Sequence, residues 1–340
     1  MSTIIEYEPM CQSSIAEGKA DQEMMVSIIC STFNHEPFIA DAIESFVMQK
    51  TNFPFEIVIN DDASEDSTAM IIREYALKYP NLIKPILQIE NQHQKGIKGL
   101  YNCRQIATGK YIAICEGDDF WTEPNKLQKQ VDYMESHPEC ALCVHAAYNI
   151  LPDKRRLRRS IRASKNDSQF STEEVIQGGG GLFATNSILY PAKLDRNRPT
   201  YFNDAPVGDY PLAILLSTLG TVYYMDQFMS AYRVNVPGSW TRRHLSSPSK
   251  AIEHLEQIAA LLDEINKVTL LKYNQAIVNT KKQNLFKMQL LEGNFKELKS
   301  KEFIEIYSAL DIVSKLKIFI KSHILGFNSM IKTEKGKADL

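Results

Sequence analysis

No stretch of this 340-residue chain approaches the roughly 18 consecutive apolar residues that a bilayer-spanning helix needs. Residues 1–23 also lack the basic start and apolar run of a secretory signal, and carry Glu6, Glu8, Glu17, Asp21 and Glu23 among small polar residues. An excess of either charge is missing too, with 39 basic and 41 acidic residues. The formal net charge is −2, so no nucleic-acid partner is expected and any basic surface must be local. The six cysteines are scattered. Cys140 and Cys143 have the spacing of a metal pair, but no second pair or histidine cluster completes a site. Ordinary reduced cysteines and a cytoplasmic location are therefore expected. No GxGxxG follows a strand-like run, against a dinucleotide-dependent oxidoreductase. The loop Cys30-Ser31-Thr32-Phe33-Asn34-His35 likewise lacks the glycines and lysine usual in a nucleotidyltransferase.

What is present is the ordinary balance of a globular protein with a sizeable core, 44% hydrophobic and 24% charged. The length suits one large domain with an appendage, or two domains. Residues 25–30 (MVSIIC), 55–59 (FEIVI), 83–89 and 111–115 (YIAIC) read as buried strands. Helical patterns separate them, such as the apolar face of Phe38, Ile39, Ala42, Ile43, Phe46 and Val47. Strands alternating with helices of this length predict an α/β fold with a mostly parallel sheet, whose functional edge lies beyond the carboxyl ends of the strands. Later segments predict a helix at 126–137, a strand at 141–145, a strand-like run at 182–190 and strands at 221–225 and 228–233. Residues 154–165 and 235–244 read as loops, and helical patterns dominate from 249 to about 327. The expected organisation is a tail at 1–23, a principal domain at 24–245 and a helical region at 246–340.

Two acidic clusters fall on the predicted edge. Asp118 and Asp119 follow a buried strand, where adjacent carboxylates repel each other and lose hydration unless a cation or donors compensate. Mg²⁺ or Mn²⁺ needs few protein ligands when phosphate and water fill the remaining positions. The plainer reading is a helix N-cap, and the two residues alone do not decide between them. The second cluster is Asp61-Asp62-Ala63-Ser64-Glu65-Asp66-Ser67. Asp66 and Ser67 suit helix capping, which leaves Asp62 as the candidate partner of a nucleotide base or ribose.

Three segments, VSIICSTFNHEPFIADAIESFVMQ, FEIVINDDASEDST and GKYIAICEGDDFW, together resemble the inverting family 2 glycosyltransferases over residues 25–241. The resemblance implies the GT-A fold and a bacterial polysaccharide-biosynthesis role. It implies a nucleotide-sugar donor (a UDP-sugar by preference) and a saccharide or lipid-linked acceptor. By position, Ser31, Phe33 and Asn34 would line the base with Asp62 as its carboxylate partner. Asp118 would lie near ribose and metal, Asp119 would ligate Mg²⁺ or Mn²⁺, and Asp209 would be the catalytic base. Residues 179–187, with Gly179, Gly180 and Asn186, would face the transferred sugar and acceptor. Two departures stand out: Ala63 replaces the usual glycine of the second loop, and Asn235 stands where a metal-contacting histidine is common, with a carbonyl that can still ligate a hard cation.

In the resulting mechanism one carboxylate deprotonates the acceptor hydroxyl, while the leaving diphosphate is already anionic and needs no acid. For Asp209 the competing role is capping the helix that begins Tyr210-Pro211. Lys95 and Arg104 are cations near the fourth strand that could meet phosphates, or solvated surface charge. Trp240 could stack on a sugar and Arg242 clamp the diphosphate. The basic residues between Lys154 and Lys165 are either a solvated loop or a guide for an anionic acceptor. Leu316, Phe319, Ile320, Ile324 and Phe327 form one helical face beside Lys315, Lys317 and Lys321. That face would suit the anionic inner face of the membrane or would dock on the enzyme body, and the C-terminal helices are also the candidate surface for a homo-oligomer. A nucleotidyltransferase and a catalytically silent nucleotide- or sugar-binding module remain the alternative functions.

Overall fold

A computed structural model describes residues 23–202 and 204–322, so the tail over 1–22, Ile324 and Phe327 lie outside the described residues. The first half alternates strand and helix as the periodicity predicts. β1 (Val26–Thr32), α1 (Ile39–Val47), β2 (Phe55–Asp61), α2 (Thr68–Lys78), β3 (Ile83–Leu87), α3 (Gly99–Ile106) and β4 (Tyr111–Ile114) follow in order. β1 pairs parallel with both β2 and β4, and β2 with β3. Alternate residues of β1 (Val26, Ile28, Cys30) and of β2 (Ile57, Ile59) join one core with Ile39, Ile43 and Phe46 of α1. This is the period-2 to period-3.6 match that a strand needs to bury a helix.

The rest of the sheet is mixed. It comprises β5 (Phe120–Trp121), α4 (Lys126–Ser136), β6 (Cys140–Ile150), β7 (Arg156–Ile161), β8 (Ser168–Phe170), α5 (Thr172–Gly178), β9 (Leu189–Pro191), α6 (Asp209–Leu219) and β10 (Thr221–Arg233). The described sheet runs β3-β2-β1-β4-β9-β6-β10-β5, with β7 added to β6 and β8 to β10. β6 and β10 are parallel, whereas β9, β5, β7 and β8 pair antiparallel with their neighbours. This is the helix-flanked, largely parallel sheet of the GT-A type that the resemblance implies.

Four local expectations are corrected. The two strands expected over 221–233 are one strand, β10, interrupted by register shifts near Met225 and Phe228. The strand-like run 182–190 is mostly a tight turn at 185–187, with only Leu189–Pro191 extended. The basic loop is partly strand. β7 pairs with β6, Arg156 lies 3.7 Å from the Tyr148 ring centre, and Lys154 and Arg162 are ion-paired with Asp41 and Asp226. Those three cations therefore lie against the fold's own aromatic and acidic groups, while Arg155, Arg156, Arg158, Arg159, Arg162 and Lys165 remain exposed to solvent. Finally, the expected loop over 235–244 contains a short helix, α7 (Trp240–His244), capped by the Ser239 hydroxyl.

The chain divides into two compact units. The first runs to Arg198 and resumes over Val207–Pro237; the second takes Pro199–Pro206 and everything from Gly238. The second unit holds α7, α8 (Pro248–Val268), α9 (Asn274–Glu292) and α10 (Ile304–Ala309), with residues 312–322 forming a further helix, α11. Ser247 caps α8 by accepting from the Lys250 N–H, and Pro248 occupies its first turn, as N-terminal preferences dictate. A small core of Phe286, Leu298, Phe303 and Ile318 closes its far end.

Candidate functional site

The carboxyl ends of β1, β2 and β4 meet at one sheet edge because the three strands are parallel. Leaving β4, the chain makes a tight turn in which Asp119 N–H donates to Glu116 O at 3.1 Å and Gly117 N–H to Ser31 O at 3.0 Å. A Cβ on Gly117 would lie 2.7 Å from Thr32 Cβ and Oγ1, so only glycine lets this loop press onto β1. β5 then pairs antiparallel with Ser230 and Ala231 of β10. That pairing brings Tyr232 and Arg233, at the end of β10, to the acidic turn.

Asp119 is 1% exposed, and both its carboxylate oxygens are held. Oδ1 accepts from the Arg233 backbone N–H at 2.7 Å and Oδ2 from Asn186 Nδ2 at 3.0 Å. The Arg233 guanidinium, fully buried, donates to Asp118 O at 2.6 Å and pairs with Asp41 of α1. It also lies 4.9 Å from the ring centres of Phe38 and Phe120. Asn186 corrects an expectation. It does not face sugar or acceptor: it is fully buried, and its amide donates to Asp119 and Ala231 O while accepting from the Ser230 hydroxyl. Burial forces such a satisfied network, since an unpaired amide inside a protein is costly. Asn186→Ala strands two or three buried polar partners and should lower unfolding free energy by about 2–4 kcal/mol. A divalent cation held by the acidic turn would then bind about 10- to 100-fold more weakly through the loosened Asp119. Urea denaturation and a Mn²⁺ titration followed by electron paramagnetic resonance read the two effects separately.

Glu116, Asp118 and Asp119 place one carboxylate oxygen each within 4.8 Å of one another. Burial, then the neighbouring charges of Asp118 and Asp209, push the Glu116 carboxyl up to about 8. Burial, followed by Asp118, also raises Asp119 well above the usual carboxylate range. Three hard, mutually repelling carboxylate oxygens so close together fit Mg²⁺ or Mn²⁺, because a divalent cation offsets that repulsion. Asp209, the first residue of α6, completes the acidic group. Its Oδ2 accepts from Thr185 Oγ1 at 2.9 Å, its Oδ1 accepts from the Tyr210 N–H at 2.8 Å, and burial raises its proton affinity. It lines a small cavity together with Gly179, Gly180, Leu182 and Phe183, so the structure does bring the expected glycines and base together. Tyr232, half-buried, has its phenol pushed up by burial and then by Asp119, Glu116, Asp118 and Asp209 in turn.

The residues expected around the nucleotide are placed less uniformly. Ser31 is half-buried against Gly99 at the start of α3, and Phe33 is half-buried beside it in sequence. Asn34 has a left-handed backbone, accepts from the Glu65 N–H at 2.8 Å and donates its own N–H to Ser64 Oγ at 2.9 Å. It thus ties the first loop to the second. Ala63 is left-handed as well (φ 59°), the conformation for which glycine is usual. Asp66 accepts from the Thr68 N–H at the start of α2, as expected, whereas Ser67, at the N-cap position, makes no side-chain capping bond. Asp62 is buried, with its oxygens accepting from the Gln92 and His93 N–H groups at 2.7 and 3.1 Å. Lys95 is exposed and paired with exposed Glu90, and Arg104 is paired with buried Asp195 at 3.3 Å. Asn235 is exposed with a left-handed backbone two residues past Arg233. Trp240 and Arg242 belong to the second unit. There Trp240 stacks on His244 and meets His254 edge-on, and the Arg242 N–H is capped by Ser239.

Sequence reasoning missed Glu116, His35, Thr185 and the Asp41–Arg233 pair. Glu116 was visible as the first acid of Glu116-Gly117-Asp118-Asp119. His35 Nε2 lies 4.0 Å from Asp118 Oδ2, and burial lowers its proton affinity. Nothing local links Asp41 to Arg233, which is 192 positions away.

The sequence profile described as Glycosyl transferase family 2 matches residues 27–191. An uncharacterised glycosyltransferase of Nostoc sp. is 35% identical over 250 residues, covering 72% of this chain and 74% of its own length. An uncharacterised protein of Mycobacterium tuberculosis is 34% identical over 229 residues, 63% of this chain, and the match spans only 60% of the relative's length. Among solved structures, residues 1–349 of S. aureus TarS with UDP-GlcNAc align at TM-score 0.54 and 17% identity, over 88% of this chain and 79% of that one. The Pyrobaculum calidifontis mannosyltransferase PcManGT with GDP-Man and Mn²⁺ aligns at 0.55 and 14%, over 90% and 86%.

Proposed function

This chain is a member of glycosyltransferase family 2, and on that premise we propose that it transfers a sugar from a nucleotide-sugar donor to a saccharide or lipid-linked acceptor with inversion. The observation that carries the reading is Glu116, Asp118 and Asp119 converging beyond β4, with Asp209 in their field. A UDP-sugar is the donor of choice, in line with the UDP-GlcNAc bound by the structural relative TarS. Asp118 and Asp119, with Glu116, would hold Mg²⁺ or Mn²⁺, as PcManGT holds Mn²⁺. Once bound, the ion would supply positive charge to the departing diphosphate. The protein's own groups do the rest. Arg233 and Asn186 fix Asp119 from both sides, so the carboxylate is preorganised. Asp209 takes the acceptor proton at Oδ1 or Oδ2. Its raised proton affinity makes it a stronger base than an exposed aspartate, and Thr185 fixes its rotation. The proposed setting is the cytoplasmic face of the membrane, in cell-surface polysaccharide synthesis.

The test is a panel of UDP- and GDP-sugars with Mn²⁺ or Mg²⁺, reading nucleoside diphosphate release by coupled assay. Metal-dependent release of the diphosphate, abolished by EDTA, is expected. Release of pyrophosphate would point to nucleotidyl transfer, and tight nucleotide binding with no turnover would point to a binding module.

The acidic group also links stability to pH. Folded Glu116 keeps its proton to about pH 8, whereas an unfolded glutamate releases it near ~4.3. Between those values the folded state binds more protons, so this residue lowers stability as pH rises. Without metal, Glu116→Gln should therefore melt higher than the parent, with a gap that widens from about pH 5 to pH 8. Saturating Mn²⁺ should close or reverse the gap. Differential scanning calorimetry at three pH values decides it, and a gap that narrows with pH without metal would contradict the burial of this carboxyl.

A further inference from the structure

The described end of the second unit carries an apolar surface that the transfer reaction does not use. Asp311 starts α11, its carboxylate accepting from the Ser314 N–H at 2.9 Å and the Ser314 hydroxyl at 2.6 Å. At about 100° per residue, Ile312, Val313, Leu316, Phe319 and Ile320 fall within an arc of roughly 120°. All five are exposed, Ile312 at 84% and Leu316 at 54%. Ile318 points the other way and is 7% exposed, packed with Phe286, Leu298 and Phe303. The residue that anchors this helix to its own unit is thus on the face opposite the stripe, so the apolar arc is not the face used for docking on that unit. Residues 312–321 also contain three lysines and no acidic residue. Lys315 flanks one side of the arc and donates to Ser308 O at 2.7 Å, exposed Lys317 flanks the other, and exposed Lys321 follows beyond it, nearer the Ile318 face.

We infer that α11 is a membrane-surface element, which lays the Ile312–Leu316–Ile320 stripe into the acyl boundary of an anionic bilayer, with Lys317 at the headgroups and the long Lys321 side chain reaching toward them. An apolar patch exposed in water is unfavourable in proportion to its area, and burying it in the interface recovers that free energy. The lysines choose among occupants. A second copy docking stripe to stripe would bring like-charged rims together, whereas a negatively charged lipid surface satisfies stripe and rim at once. Each lysine near such a surface strengthens partitioning by about fivefold, and salt weakens that share.

The experiment is co-sedimentation of the full chain with phosphatidylcholine vesicles, with and without phosphatidylglycerol, at low and high salt. Binding to the anionic vesicles at low salt is expected, at least about tenfold above binding to neutral ones. The double variant Leu316→Gln/Ile320→Gln should lose at least about tenfold of that binding. Lys317→Gln/Lys321→Gln should bind both vesicle types alike. These side chains are exposed, so unchanged melting curves confirm folded variants. Absence of vesicle binding by the parent, or binding unaffected by both double variants, would overturn the inference. So would light scattering that shows a dimer which Leu316→Gln/Ile320→Gln turns to monomer with vesicle binding intact, for then the stripe is a homo-oligomer surface.

Discussion

Asp119→Ala lowers kcat/KM for transfer by about a thousandfold or more, equivalent to roughly 4 kcal/mol of lost transition-state stabilisation. The size follows from the position. Asp119 is buried, and its oxygens are aligned by Arg233 N–H and Asn186 Nδ2. Stability should change far less than activity. The variant leaves two buried donors unpaired, at about 1–3 kcal/mol each, but it also removes a carboxylate that Asp118 and Glu116 repel. The melting temperature without metal should thus move modestly, while its rise on adding Mn²⁺ disappears. Steady-state kinetics beside calorimetry with and without Mn²⁺ checks both parts. Activity within tenfold of the parent would remove Asp119 from the proposed role.

Asp209→Asn lowers kcat by about 10²- to 10⁴-fold, the usual worth of a positioned base. Donor KM should stay within a few-fold, because the contacts of Asp209 are with Thr185, its own helix N-terminus and a small cavity. The pH profile gives the sharper readout. A base works only when deprotonated, and burial raises the Asp209 carboxyl, so parent activity should fall on the acid side earlier than an ordinary aspartate would dictate. The residual activity of the variant should lack that acid limb. A helix-capping Asp209 would instead show a lowered melting temperature with the pH profile unchanged.

The first four strands and their helices were legible because each strand is a short apolar run and each helix shows a 3.6-residue face. The carboxyl-edge rule then placed Asp62 and Asp118-Asp119 correctly on one side of the sheet. Legibility failed where pairing rather than pattern makes the strand. β7 is arginine-rich and becomes a strand because β6 offers it an edge, with Tyr148 beneath Arg156. β5 is two residues long and is defined wholly by its pairing to β10. At the site, Asp119 could be found from its place after a strand. Asn186 could not be given its role, because its partners Ala231, Ser230 and Asp119 are 44 to 67 positions away. Glu116 was overlooked for a different reason: an isolated glutamate has no unusual chemistry until burial and two aspartates surround it.

The Arg233 contacts have a bearing on how the protein comes into being. Arg233 joins Asp119 across 114 positions and Asp41 across 192, and its strand is inserted between β6 and β5 late in the chain. During vectorial synthesis α1, β1, β2 and β4 can collapse while β10 is still inside the ribosome. Contacts of such long range also form slowly once the chain is free. The turn carrying Glu116, Asp118 and Asp119 can form locally, but the Arg233 contacts that pin Asp119 and close over it arrive only after the hydrophobic nucleus is in place. The final shape of the acidic turn is thus set by the last step of assembly.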